Sequence, residues 1–317
     1  MSVYLPPTLL RPPLRLVGRW VFSPETTWEQ RRRRMELLLR LPGAPRGVTI
    51  SHTALGGVPT ELLTPPATEP DRVLLYLHGG GYAVGSPRTH RALVGRLATD
   101  LRAAAYVPDY RLAPDHRFPA AFDDSIAASQ ALLAAGWPSD RIIVAGDSAG
   151  AGLALGLAVN ARQLGLPLPA AIGLLCPGID LTPDGLAALP RHRREPMLTI
   201  DLLHQFGDAY ADGDQRRHPA ISPLLTDLTG LPPLVIDIGA NDVLVGQSRR
   251  LANRARQAGV TVRFREHPGF SHGFHSLAGV MLQADRALGD VAAALSETLE
   301  NPSLARIPRY RGRAAEA

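Results

Sequence analysis

The chain has 317 residues, 45% hydrophobic and 20% charged, the balance of a globular protein with a sizeable core rather than of a disordered or fibrous chain. Its formal charge of +5 rests on arginine alone, since there is no lysine, and with aromatic residues at 5% and arginines dispersed it lacks the clustered basic face of a nucleic-acid-binding protein. The one cysteine, Cys176, excludes an internal disulfide and makes a reducing cytoplasm the default setting, and no stretch suits a membrane span or a signal-peptide core.

Residues 1–45 read as an N-terminal segment with helical pieces. The stretch TWEQRRRRMELLLRL contains good helix formers and stops at Pro42-Gly43. Arg31 to Arg34 point all round such a helix and are expected to be solvated. Residues 47–64 alternate apolar and polar around Gly56-Gly57, the pattern of a hairpin. Six short apolar runs follow, at 72–77, 103–107, 141–145, 170–176, 234–238 and 260–265. Helical patterns separate them, at 89–101, 120–135 and 247–258. Strands alternating with helices predict βαβ units, hence an α/β fold with a mostly parallel central sheet. Continuous apolar runs suit strands covered on both faces.

Between Asp180 and Pro232 no strand-like run occurs. This stretch reads as a mostly helical insertion, about 181–220, which with residues 1–45 would cap the main domain, 46–300. Residues 301–317 are arginine-rich without periodicity and are expected to be a mobile tail.

The chemistry concentrates in a few short segments. Gly146-Asp147-Ser148-Ala149-Gly150 follows the run RIIVA and precedes a helical pattern, the strand–turn–helix setting of a G-x-S-x-G elbow. That turn exposes the serine hydroxyl at a helix N-terminus and makes Ser148 the candidate nucleophile. His78-Gly79-Gly80-Gly81-Tyr82 follows the first central run, and its glycines let backbone amides approach a substrate oxygen. A phosphate loop is the competing reading, but neither the P-loop pattern nor any lysine is present. His78 reads as a brace for this loop rather than a base.

A serine nucleophile needs a base, and the base needs an orienting acid. In the chain order serine, acid, histidine, Asp242 is the preferred acid and Asp180 its competitor. His272 is the preferred base, flanked by His267 and His275. No metal-ligand spacing is visible, so no metal or other cofactor is expected, and Cys176 reads as a packing residue.

These segments together resemble the hormone-sensitive-lipase-like group of bacterial carboxylesterases in the α/β-hydrolase superfamily. The matching pieces are HGGGY at 78–82, DYRLAP at 109–114, FPAAFDD at 118–124, GDSAG at 146–150, DVL at 242–244 and GFSHGF at 269–274. They lie in the family's order, and the resemblance covers about residues 45–295. It implies Ser148, Asp242 and His272 as a catalytic triad, Gly80, Gly81 and Ala149 as oxyanion donors, and a helical cap from the N-terminal residues and an insertion after the sixth strand. It also implies that Asp109 and Arg111 hold loops near the site.

Two positions depart from the family. Gly178 stands where a bulky ring is frequent, and Ala151 where a further glycine is. Tyr82, Asp147 and Gly178 are the expected pocket residues. The expected activity is hydrolysis of soluble short- to medium-chain acyl esters, small molecules, through an acyl-enzyme. The alternatives are a lactone, an acetylated metabolite or an amide on the same triad, or a non-catalytic binding protein on this fold. Oligomeric state is left open, a homodimer included.

Overall fold

The computed structural model describes residues 2–39, 43–190 and 194–300. Among them eight strands form one sheet. The hairpin comes first: β1 (Thr49–Leu55) and β2 (Val58–Thr64) pair antiparallel, with Leu55 opposite Val58. Gly56 and Gly57 make the turn with φ of 58° and 85°, the conformation whose twist matches the flanking strands. The apolar runs become β3 (Val73–Leu77), β4 (Ala104–Pro108), β5 (Ile142–Asp147), β6 (Ala171–Leu175), β7 (Leu234–Gly239) and β8 (Val262–His267).

The strand order is β1-β2-β4-β3-β5-β6-β7-β8, parallel from β4 through β8. Strands β3, β5, β6 and β7 are buried along their whole length, which requires cover on both faces. Helices α3 (Pro87–Leu101) and α9 (Leu282–Glu300) pack together on one face. Helices α4 (Ala120–Ala134), α5 (Ala149–Gln163) and α8 (Val245–Gln257) cover the other.

The chain leaves β3 toward β4 on one side and returns to β5 on the other. The carboxyl ends of β3 and β5 therefore flank a crevice, the place where open α/β sheets bind ligands. Both glycine-rich segments fall there.

Four further helices lie toward this crevice: α1 (Pro7–Val21), α2 (Trp28–Leu39), α6 (Pro183–Ala187) and α7 (Ile200–Tyr210). Helix α1 runs through Pro12 and Pro13, which are exposed, so the carbonyls that lose their partners sit on the wet side. The stretch 181–220 holds no strand among its described residues, and its helices are short. Its described residues hold the five-residue α6, the eleven-residue α7 and one 3-10 turn at Asp214–Arg217, and prolines at 190, 196 and 219 interrupt the rest.

The arginine run is also not simply solvated. Arg31 is buried and donates to Gln205 Oε1 at 3.0 Å and Thr26 Oγ1 at 3.1 Å. Arg32 donates to the carbonyls of Ala83 (2.8 Å) and Ala113 (2.7 Å), tying α2 to the loop after β3. Arg33 and Arg34 are left to form the outer face, bonded to Glu29 and the Trp20 carbonyl. Among the described residues no helix is long and apolar enough to cross a membrane. The expected tail, 301–317, lies outside the described residues.

Candidate active site

Ser148 stands between β5 and α5 with φ 52° and ψ −116°, a backbone region that side chains rarely occupy. Its two glycine neighbours explain how the turn closes. A Cβ on Gly146 would sit 2.5 Å from the Gly150 carbonyl, and one on Gly150 would sit 2.0 Å from the Leu77 carbonyl oxygen. The Ser148 amide donates to the Leu175 carbonyl at 2.8 Å, and its own carbonyl accepts from Gly178 at 3.0 Å. The turn is thus pinned to the end of β6.

The loop after β7 brings in Asp242, fully buried, with Oδ1 accepting the Leu244 amide at 2.8 Å. Its Oδ2 lies 2.8 Å from His272 Nδ1, and His272 Nε2 lies 2.9 Å from Ser148 Oγ. Burial works against the His272 imidazolium, but the adjacent Asp242 carboxylate outweighs it and holds the ring well above the ordinary histidine range. Asp180 is buried at another point of the lining of the same cavity and bonds to no histidine among the described residues. Its Oδ1 accepts from Thr182 Oγ1 at 2.7 Å and from the Thr182 amide at 3.2 Å.

His267 and His275 make a separate cluster, both bonded through Nε2 to Asp237 at 2.8 Å. Cys176 is buried and has φ 40°. Its sulfur, Asp242 and His272 place ligand atoms within 4.8 Å of one another. In that group Nδ1 of His272 faces Asp242, and Nε2 faces the Ser148 hydroxyl.

Sequence reasoning missed Glu195. Its carboxylate is buried and accepts the amides of His272 (2.7 Å), Met197 (3.0 Å) and Leu198 (3.2 Å). Burial, with the Asp242 carboxylate adding to it, raises its pKa. Glu-Pro-Met-Leu in an aperiodic stretch carries no signal for this; only the fold brings it 77 positions along to the histidine loop.

The loop after β3 runs through left-handed backbone, with φ 121° at Gly80, 60° at Gly81 and 62° at Tyr82. Asp147 fastens it: its Oδ1 accepts the Gly79 amide at 2.9 Å and the Tyr76 hydroxyl at 2.8 Å, with His90 Nε2 at 3.4 Å. Burial opposes the Asp147 charge, but His90 and the Tyr76 hydroxyl prevail and bring its pKa down to about 2. His78 is fully buried and stacked on Tyr110 at 4.1 Å. Burial, reinforced by His90, lowers it to about 3, so it stays neutral and braces the loop. Arg111 clamps Asp124 through Nη2 at 2.8 Å, fixing the next loop to α4. Among the described residues, no protein acceptor takes the amides of Gly80, Gly81 or Ala149.

Above Ser148 lies a cavity of about 320 Å³. Leu14 and Val17 of α1, Met35 and Leu38 of α2, and Leu202 and Phe206 of α7 form an apolar part of its wall. Tyr82 borders it and stacks on Tyr210 at 3.8 Å. Asp147 reaches its floor with the carboxylate turned to the loop anchor, and Gly178 lies at its side. A hydroxyl bonded to an imidazole, unpaired amides beside it and a mostly apolar chamber above are the parts that acyl transfer requires.

A family model described as alpha/beta hydrolase fold matches residues 74–276. An acetyl-hydrolase of Streptomyces hygroscopicus is 40% identical over 264 residues, 83% of this chain and 86% of that protein. A carboxylesterase of Mycobacterium tuberculosis is 33% identical over 262 residues, 79% of this chain and 82% of that protein. The crystal structure of a hormone-sensitive lipase from a metagenome library superposes with a TM-score of 0.88 at 34% identity, covering 94% of this chain and all of that one.

Proposed function

The chain belongs to the α/β-hydrolase family, among the hormone-sensitive-lipase-like esterases, and from that premise we propose that it cleaves carboxylic esters through Ser148, His272 and Asp242. Ester hydrolysis itself follows from the esterases to which the chain is related. The assignment of roles is carried by the unbroken path from Asp242 through His272 to Ser148, 2.8 and 2.9 Å.

Ser148 Oγ attacks the ester carbonyl carbon while its proton passes to His272 Nε2. Asp242 holds Nδ1–H and stabilises the imidazolium. The carbonyl π pair moves onto oxygen, facing the amides of Gly80, Gly81 and Ala149 at the N-terminus of α5. The tetrahedral intermediate collapses, the C–O bond to the alcohol breaks, and His272 returns the proton to the leaving oxygen. Water then repeats the sequence on the acyl-serine, freeing the acid and restoring Ser148. Helices α1, α2, α6 and α7 serve as the cap. Their apolar wall and the cavity of about 320 Å³ suit acyl chains of short to medium length.

Ser148→Ala tests the reading. Turnover of p-nitrophenyl butyrate should fall by about 10⁴-fold or more with the fold retained. An organophosphate should add its mass to the peptide bearing Ser148 in the wild type only. Activity within tenfold of wild type, or labelling at another serine, moves the site elsewhere.

A further inference from the structure

Helix α1 presents three stripes, and only one is accounted for by the cavity. Leu14 and Val17 turn inward to the chamber, and Val21 is buried one turn further on. Arg11, Arg15 and Arg19, spaced four apart, form a second row. Leu9, Leu16 and Trp20 share the third face and point to solvent, 66%, 67% and 42% exposed. Val3 and Tyr4, just before the helix, are exposed as well. Of the ten large apolar side chains exposed among the described residues, these five come from the first twenty positions. Val280, whose carbonyl accepts the Val3 amide, joins the same region. Exposed apolar residues scattered singly need no explanation, but this concentration on and around one helix does.

The arginine row is its second feature. Arg11, Arg15 and Arg19 line a cleft with Thr8, Leu16 and Arg194, and no acidic side chain is among the described residues that line it. The helix itself contains three arginines and no acid. The buried Nε of Arg11 has no hydrogen-bond partner among the described residues.

We propose that this outer face of α1, with the residues before it, docks on an anionic phospholipid surface. Leucine and tryptophan side chains would enter the interfacial layer while Arg11 and Arg19 meet phosphate groups, the division that amphipathic interfacial helices use. A second copy of the chain suits the face poorly. Antiparallel two-fold packing on this face would set arginine against arginine. A nucleic acid would contact the arginines and leave Leu9 and Leu16 in water. Because α1 and α2 also wall the cavity, docking would put that chamber next to amphiphilic esters concentrated at the surface. The proposal does not depend on the assignment of the triad, since it is read by binding.

Sedimentation with vesicles tests it. The full chain should pellet with phosphatidylcholine vesicles containing phosphatidylglycerol and stay in solution with phosphatidylcholine alone. Added salt should release it. Arg19→Gln should weaken binding by about fivefold. Leu16→Ser/Trp20→Ser should abolish it, together with the blue shift of tryptophan emission, while p-nitrophenyl butyrate hydrolysis in vesicle-free buffer stays at the wild-type rate. No binding to the anionic vesicles, or binding that these variants leave unchanged, overturns the proposal. So does a fall in molecular mass by light scattering for the double variant, which would make the face an interface between copies.

Discussion

His272 has both ring nitrogens assigned by its neighbours. With Nδ1–H donating to Asp242, Nε2 keeps the lone pair that faces the Ser148 hydroxyl. The active form of the base is neutral, and Asp242 raises the pH at which the ring becomes neutral. Activity should therefore climb as pH rises through that elevated pKa. Asp242→Asn should lower kcat by about 10⁴-fold and move the residual limb to lower pH, because the charge that held the proton is gone. Asp180→Asn should leave the limb in place, since the Asp180 carboxylate is engaged with Thr182 and Arg250 and not with His272. A pH–rate profile of both variants checks this, and a limb that moves with Asp180 instead would reassign the acid.

Gly178 is the other informative residue. Its φ lies outside the left-handed region, and a Cβ there would rest 3.7 Å from Leu244 Cδ1 and the Ser148 carbonyl oxygen, an ordinary contact. Backbone geometry therefore does not require glycine, and the space beside it is cavity. Gly178→Trp should fill that space, lowering kcat/KM for hexanoate esters at least about tenfold more than for acetate esters. An equal drop for both would refute the pocket role.

At the scale of elements, the histidine loop is held at both ends by one carboxylate. Asp237, on β7, bonds to His267 at the end of β8 and to His275 in the 3-10 turn Phe274–Leu277. Burial opposes the charge of Asp237, and the two histidines still lower its pKa. Burial likewise opposes the His275 cation, and Asp237 overcomes it, lifting His275 to about 9. The depressed Asp237 contributes stability that is present above the unfolded value of about 4 and lost as pH falls through its folded pKa. The raised His275 contributes stability that is full below about 6.5 and lost as pH rises through about 9. The pair should therefore stabilise most between roughly pH 4 and 6.5. Tm measured from pH 6 to 10 should fall more steeply in the wild type than in His275→Gln. Parallel curves would mean that His275 is neutral throughout.

Across the whole molecule, what the sequence disclosed and what it hid divide by the range of the forces involved. The elbow was legible because its constraint is local: Gly146 and Gly150 approach within a five-residue turn. The central strands were legible because burial on both faces demands unbroken apolar runs, and the Gly56-Gly57 turn because positive φ demands glycine. The lack of strands in 181–220 was legible in the missing apolar runs, while the shortness of its helices was not. Arg31, Arg32, Glu195 and Asp237 were illegible in their roles because each depends on a partner tens of positions away, such as Gln205 for Arg31. A charged side chain carries no mark of whether the fold will bring it a mate.

One of the short bonds described above reaches further than its length. Asp147 grips the Gly79 amide, and the next residue in the chain is Ser148. The hydroxyl and the glycine loop are thus gauged from a single point rather than across the width of the sheet. A breathing motion of the sheet therefore carries the two together. The chamber walls have no such common origin, since they come from helices scattered from residue 14 to residue 206. Warming will therefore loosen which esters fit before it loosens the chemistry that cleaves them, so that selectivity and turnover age on separate clocks.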